Sequence, residues 1–60
     1  MARYVVNKYD GGVYCGNGFF DSLDDCYTFA DDGFCDYMRI KDVQNNIELK
    51  VHLKKIKNNN

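Results

Sequence analysis

The stretch "RYVVNKYDGGVYCGNGFF", residues 3–20, predicts the first half of the fold. It contains two runs rich in β-branched and aromatic residues, which favour strands. Asp10-Gly11-Gly12 separates the runs, and an Asp-Gly pair supplies the positive φ angles of a tight hairpin turn. We therefore predict strand 1 at residues 3–9 and strand 2 at residues 13–19. The second strand could end early, because Gly16-Asn17-Gly18 is a further turn signal.

The stretch "IELKVHLK", residues 47–54, has the clearest periodicity in the chain. Aliphatic residues alternate with charged or polar ones, as a half-buried strand requires. We predict strand 3 here, with an aliphatic inward face and a basic, polar outward face.

The segment between strands 2 and 3 has helical signals. Ser22 can cap a helix in which Asp25 takes the fourth position of a capping box. The spacing of Leu23, Cys26, Tyr27 and Ala30 then forms one apolar face. A second start signal at Asp31 or Asp32 predicts that residues 34–43 are helical, either as a second short helix or as part of one helix broken near Gly33. Phe34, Cys35, Met38, Ile40 and Val43 would then cover the sheet, and Asn45-Asn46 tolerates the left-handed geometry of a helix end.

These elements predict an α+β fold of order β-β-α(α)-β. The expected sheet is three-stranded and mainly antiparallel, with strand 1 in its centre and the short helices packed on one face. We expect a single domain over residues 1–57 and a disordered tail at Asn58-Asn59-Asn60. A chain of 60 residues buries little core, so a homodimer is also expected.

Acidic residues gather in the middle of the chain. Residues 9–38 contain seven aspartates and no lysine or arginine, whereas six of the eight basic residues follow residue 38. Helix capping can use several of these carboxylates, but it does not explain the missing cations. Such segregation creates a field that can steer a charged partner. Nine Phe and Tyr residues add candidate interface anchors. The predicted partner-binding residues are Asp21, Asp24, Asp25, Asp31, Asp32, Asp36, Tyr27 and Tyr37.

A second hypothesis is a small nucleic-acid-binding module that uses the basic strand 3. Its lysines could contact phosphates while accessible tyrosines stack on bases. These lysines are Lys50, Lys54, Lys55 and Lys57. Two observations oppose it: the sequence pI of about 5.6 is low for a dedicated binder, and lysines also protect an edge strand from aggregation.

A third hypothesis is a zinc-stabilised module, because Cys15, Cys26, Cys35 and His52 are the ligand types of a Cys3His site. Their spacing lacks the close cysteine pair of a zinc knuckle, so we predict buried cysteines and no metal or cofactor. No catalytic motif is present, and we predict no catalytic residue. The N-terminus lacks the features of a signal peptide and no stretch could span a membrane, so we expect a cytoplasmic protein.

The stretch "YVV…GGVYCGNGFFDSLDDCYTFADDGFCDYM" resembles many small proteins encoded by bacteriophages and prophages. In those proteins a hairpin with Tyr and Gly leads into a Ser-Leu-Asp-Asp helix start and a closing strand. Such proteins include inhibitors of host defence, among them anti-CRISPR proteins, and acidic ones can imitate nucleic acid. The resemblance implies a non-enzymatic inhibitor that binds a host nuclease or CRISPR/defence complex in the cytoplasm of a bacterium.

Overall fold

The computed structural model describes residues 2–31 and 33–53. Within them the chain forms four strands and one helix. The elements are β1 (Tyr4–Asp10), β2 (Val13–Phe20), α1 (Leu23–Ala30), β3 (Tyr37–Asp42) and β4 (Ile47–His52). The fold is α+β, but the described sheet has four strands where the sequence predicted three. The predicted tail at residues 58–60, together with Asp32, Lys54, Lys55 and Lys57, lies outside the described residues.

The sheet has the order β2-β1-β3-β4, and every neighbouring pair is antiparallel. Two hairpins, β1-β2 and β3-β4, are therefore joined by α1 and meet where β1 pairs with β3. β1 lies inside the sheet, as predicted. β2 and β4 form its two edges.

The β1-β2 hairpin forms where the sequence predicted it. Gly11 and Gly12 have φ angles of 60° and 87°, which is the left-handed geometry that a tight hairpin turn needs. β2 does not end at Gly16 but continues to Phe20. It contains a bulge instead, since Lys8 pairs with Gly16 while the next residue, Tyr9, pairs with Tyr14.

The predicted helix over residues 34–43 is wrong, because most of this segment forms β3. The burial of β3 has a period of two: Met38 and Ile40 are fully buried, whereas Arg39 and Lys41 between and after them lie on the opposite face. This strand fills the place between β1 and β4. The left-handed residue Asn46, with φ of 55°, belongs to the β3-β4 turn and not to a helix end.

The core lies on the face of the sheet that α1 covers. Its buried residues are Tyr4, Val6, Cys26, Ala30, Met38 and Ile40. The Ser22 hydroxyl accepts a hydrogen bond from the Asp25 backbone N–H at 3.2 Å, which confirms the predicted cap. α1 packs over β1 and β2, where the ring centroids of Phe29 and Phe20 are 5.0 Å apart.

Candidate binding face on the open side of the sheet

The face of the sheet opposite α1 carries no helix from the described part of the chain. We call it the open face. It is formed by the side chains of Val5, Asn7, Tyr9, Tyr14, Asn17, Phe19, Tyr37, Arg39, Lys41, Glu48, Lys50 and His52. Ring contacts link four of them across the sheet, while Lys8, next to Tyr9, points to the other side and lies 4.2 Å from the Phe29 ring centroid.

One aromatic residue from each strand forms a row across this face. In the spatial order of the strands the row is Tyr14, Tyr9, Tyr37 and His52. Successive ring centroids are 6.0, 5.7 and 5.1 Å apart. These separations are those of contacting aromatic rings. We call these four residues the aromatic row.

The bulge in β2 decides which residue begins the aromatic row. Lys8 pairs with Gly16, so a regular ladder would place Cys15 opposite Tyr9. The extra residue shifts the register by one, and Tyr14 stands opposite Tyr9 instead. The Tyr14 hydroxyl then donates a hydrogen bond to Asn17 Oδ1 at 3.1 Å.

Polar and cationic side chains lie beside the aromatic row. The next residues of this face along the strands are Asn17, three positions from Tyr14 because of the bulge, and Asn7, Arg39 and Lys50, each two positions from its row residue. Arg39 donates two hydrogen bonds to Glu48, from Nε at 3.1 Å and from Nη2 at 3.0 Å. These bonds raise the pKa of the Arg39 guanidinium, and the Tyr9 hydroxyl acts in the same direction. The hydrogen bonds from Arg39 in turn lower the pKa of the Glu48 carboxyl.

The two sides of the sheet carry opposite charges. Among the described residues, the open face holds three cations, Arg39, Lys41 and Lys50, against one carboxylate, Glu48. The helix side holds the exposed aspartates of α1 and its flanking residues. Four of them are described: Asp21, Asp24, Asp25 and Asp31. None of these four carboxylates forms an ion pair within the described part of the chain.

The structure separates the predicted partner-binding residues. The four aspartates above share the helix side with Tyr27, which is 42% exposed. Asp36 has a different role, because its carboxylate accepts the Gly11 backbone N–H at 3.2 Å and thereby ties the β1-β2 turn to the start of β3. Tyr37 lies in the aromatic row on the opposite face. The expectation that Asp36 and Tyr37 join the acidic surface is therefore not met.

The structure does not bring together the candidate zinc ligands. Cys26 and Cys35 are buried as predicted, but Cys15 is exposed in β2, so the prediction is wrong for this residue. His52 lies on the open face. No group of three or more potential metal ligands occurs within residues 2–31 and 33–53. Burial raises the pKa of the Cys26 thiol, and the nearby Asp25 charge adds to this shift. The Cys3His hypothesis thus has no site in the described residues.

Comparisons with known proteins found no match to a family model, to a curated protein or to a solved structure. The resemblance to phage-encoded inhibitors stays a prediction. Among the described residues, no helix has the length and apolar composition needed to cross a membrane.

The aromatic row was not predicted from the sequence, although part of its signal is present there. Tyr37, Arg39 and Lys41 alternate with buried residues, as in a strand with one face exposed to solvent. An assignment of β3 would have placed Tyr37, Arg39 and Lys41 on one face, while their position beside β1 depends on the strand order and register. The contact with Tyr14 could not be predicted in the same way, because it depends on the bulge.

Proposed function

We propose that the protein is a non-enzymatic module that binds single-stranded nucleic acid on the open face. The observation that carries this proposal is the aromatic row, with one ring on each of four adjacent strands and cations two residues away. Flat aromatic rings on a sheet accept unpaired bases by stacking, and lysine and arginine beside them neutralise the phosphates.

The chemistry of the neighbouring side chains fits such a ligand. Asn7 and Asn17 offer amide donors and acceptors to base edges. Lys41 and Lys50 are exposed, and Glu48 is neutralised by its paired hydrogen bonds with Arg39. The acidic composition of the whole chain counts less against binding than the pI suggests, because the described helix aspartates lie on the other side of the sheet.

The test is fluorescence anisotropy with labelled single-stranded oligonucleotides at low salt. Tyr14→Ala should weaken binding by about 5- to 150-fold, because the variant loses the stacking of one base on the Tyr14 ring. Tyr27→Ala is the matched control, since Tyr27 is 42% exposed and Tyr14 is 55% exposed, but Tyr27 lies on the helix side. Equal affinities of the two variants, or no binding by the wild type at low salt, would refute the proposal.

Salt dependence gives a second readout of the same binding. Each phosphate contact contributes about 0.7 to the slope of log K against log salt for a single strand. Lys50→Gln should therefore make the slope shallower by about 0.7. An unchanged slope would exclude contact between Lys50 and the phosphates.

A second candidate function uses the helix side, and the exposed aspartates there favour it. We propose for this side a basic protein partner of the kind that the phage resemblance implies, a host nuclease or CRISPR/defence complex. Carboxylates without cationic partners can occupy a groove that normally holds nucleic acid phosphates. The predicted cytoplasmic location agrees with such a partner and stays a prediction.

This second function is tested by a plasmid-interference assay in bacteria that express the protein. Wild type should protect a targeted plasmid, and a variant with Asp24, Asp25 and Asp31 changed to Asn should not. A variant with Lys41 and Lys50 changed to Gln is the matched control and should keep the protection. Loss of protection in the lysine variant alone would assign the effect to the open face instead.

A further inference from the structure

β4 is an edge strand, and the hydrogen bonds show which of its backbone N–H and C=O groups point towards β3 and which point away from the sheet. The Leu53 backbone N–H donates to the Asp36 carbonyl oxygen at 2.9 Å, so the backbone of Leu53 points towards β3. Successive residues of an antiparallel strand point their backbone groups to alternate sides. The N–H and C=O groups of Glu48, Lys50 and His52 therefore point away from the sheet, and within the described residues no backbone group pairs with them.

The aliphatic face of β4 is only partly covered. Ile47 is 51% exposed and Leu49 is 38% exposed, because α1 packs over β1 and β2 and does not reach this edge. Val51, next along the same face, is partly buried against the core. A strand edge with free hydrogen-bonding groups and exposed aliphatic side chains is a surface for the addition of another strand.

We propose that a second copy of this chain pairs with β4 as an antiparallel strand, with the two-fold axis beside Leu49. In this register Glu48 of each copy lies opposite Lys50 of the other copy. Both are residues with outward backbone groups, so they form the hydrogen-bonded pairs. Leu49 lies opposite its own equivalent, and Ile47 lies opposite Val51.

The charges favour this register over the two neighbouring ones. An axis beside Lys50 would place two lysines directly opposite each other, and an axis beside Glu48 would place two glutamates opposite each other. Like charges in such positions destabilise a strand pair, whereas opposite charges stabilise it. Of these three axes, only the one beside Leu49 makes two complementary pairs. A lysine on an edge normally discourages strand pairing, but here Glu48 of the partner copy neutralises it.

The pairing joins two four-stranded sheets into one, with both helices on the same side. It brings Ile47, Leu49 and Val51 of the two copies side by side and so reduces the exposed apolar surface of both β4 strands, which helps a chain of 60 residues with a small core. The two-fold interface is self-complementary and therefore closes at a dimer. It does not use the tyrosines of the aromatic row, but it shares Lys50 with the proposed phosphate contacts, so dimerisation is measured without nucleic acid.

The test is sedimentation analysis of the full chain from micromolar to millimolar concentration. Wild type should change from the 7.0 kDa monomer to a species of twice that mass. Glu48→Lys and Lys50→Glu should each weaken dimerisation by about tenfold, because each replaces two opposite-charge pairs with two like-charge pairs. An equimolar mixture of the two variants should form a heterodimer, since both facing pairs are then complementary.

Arg39→Gln is the matched control for the loss of the Arg39–Glu48 ion pair within one copy. It leaves Glu48 facing Lys50, so the dimer should persist.

Amide hydrogen exchange gives a second measurement that does not depend on the variants. The amides of Glu48 and Lys50 should become protected as concentration rises, while the amides of the β2 edge should not. A 7.0 kDa species at millimolar concentration, or dimers that are insensitive to both charge changes, would overturn the proposal.

Discussion

Replacement of Ile40 by alanine tests the assignment of residues 37–42 to a strand. Ile40 is 0% exposed and lies between Val6 of β1 and Leu49 of β4 on the helix side. Removing a fully buried isoleucine side chain costs about 2–5 kcal/mol, because it loses the transfer free energy and leaves a cavity. A chain of 60 residues has a total stability of about 3–9 kcal/mol at typical values per residue. Ile40→Ala should therefore remove a large part of the free energy of unfolding.

The matched control is Phe34→Ala, because a helix over residues 34–43 would bury Phe34 on the sheet. Phe34 is 72% exposed in the structure, so its truncation should cost much less than about 2 kcal/mol. Urea denaturation followed by circular dichroism measures both values. If Ile40→Ala does not fold, Ile40→Val should still cost about 0.5–1.5 kcal/mol. A cost for Phe34→Ala equal to or above that of the Ile40 variants would refute the strand.

Three further predictions concern the turns and caps. Ser22→Ala should lower the free energy of unfolding by about 0.5–2 kcal/mol in urea denaturation, since the Asp25 N–H loses its acceptor. Gly12→Ala should cost about 1–2 kcal/mol in the same assay because Gly12 has a φ of 87°, and a neutral result would exclude this turn geometry. The pKa of the Asp42 carboxyl is lowered mainly by its hydrogen bonds from Arg3, so its stabilising effect should be present above about pH 4 and be lost as pH falls below this value. Urea midpoints against pH should show this loss in the wild type, and Asp42→Asn should reduce it.

Local patterns predicted the elements whose signals lie within one segment. β1, β2, β4 and α1 begin and end within a few residues of their predicted bounds, because alternation, an Asp-Gly turn and a serine cap are local features. β3 was missed because its apolar residues, counted together with Phe34 and Cys35, fit the helical period of about 3.6 residues as well as the strand period of two. The deciding interaction is the pairing with β1, in which Asn7 lies opposite Arg39. No local pattern contains that information.

The candidate site was harder to predict than the fold for a related reason. Tyr14, Tyr9, Tyr37 and His52 are distant in sequence, and only the strand order and the register bring them into one row. The excess of tyrosine predicted that some tyrosines contact a partner at the surface, but it did not predict which face of the sheet carries them. The excess of aspartate was visible in the sequence, but the use of Asp36 to hold the Gly11 N–H depends on the position of β3.

The opposite charges of the two sides bear on how a ligand would approach. A nucleic acid is repelled by the helix aspartates and attracted by Lys41 and Lys50, so the field orients the open face towards it. A basic groove of a protein is attracted to the opposite side. The two proposed functions therefore use different surfaces of one molecule, and binding at one face leaves the other accessible. Because exposed charges are screened over about 10 Å at 0.1 M salt, both interactions should weaken with salt, and only variants of one face can separate them.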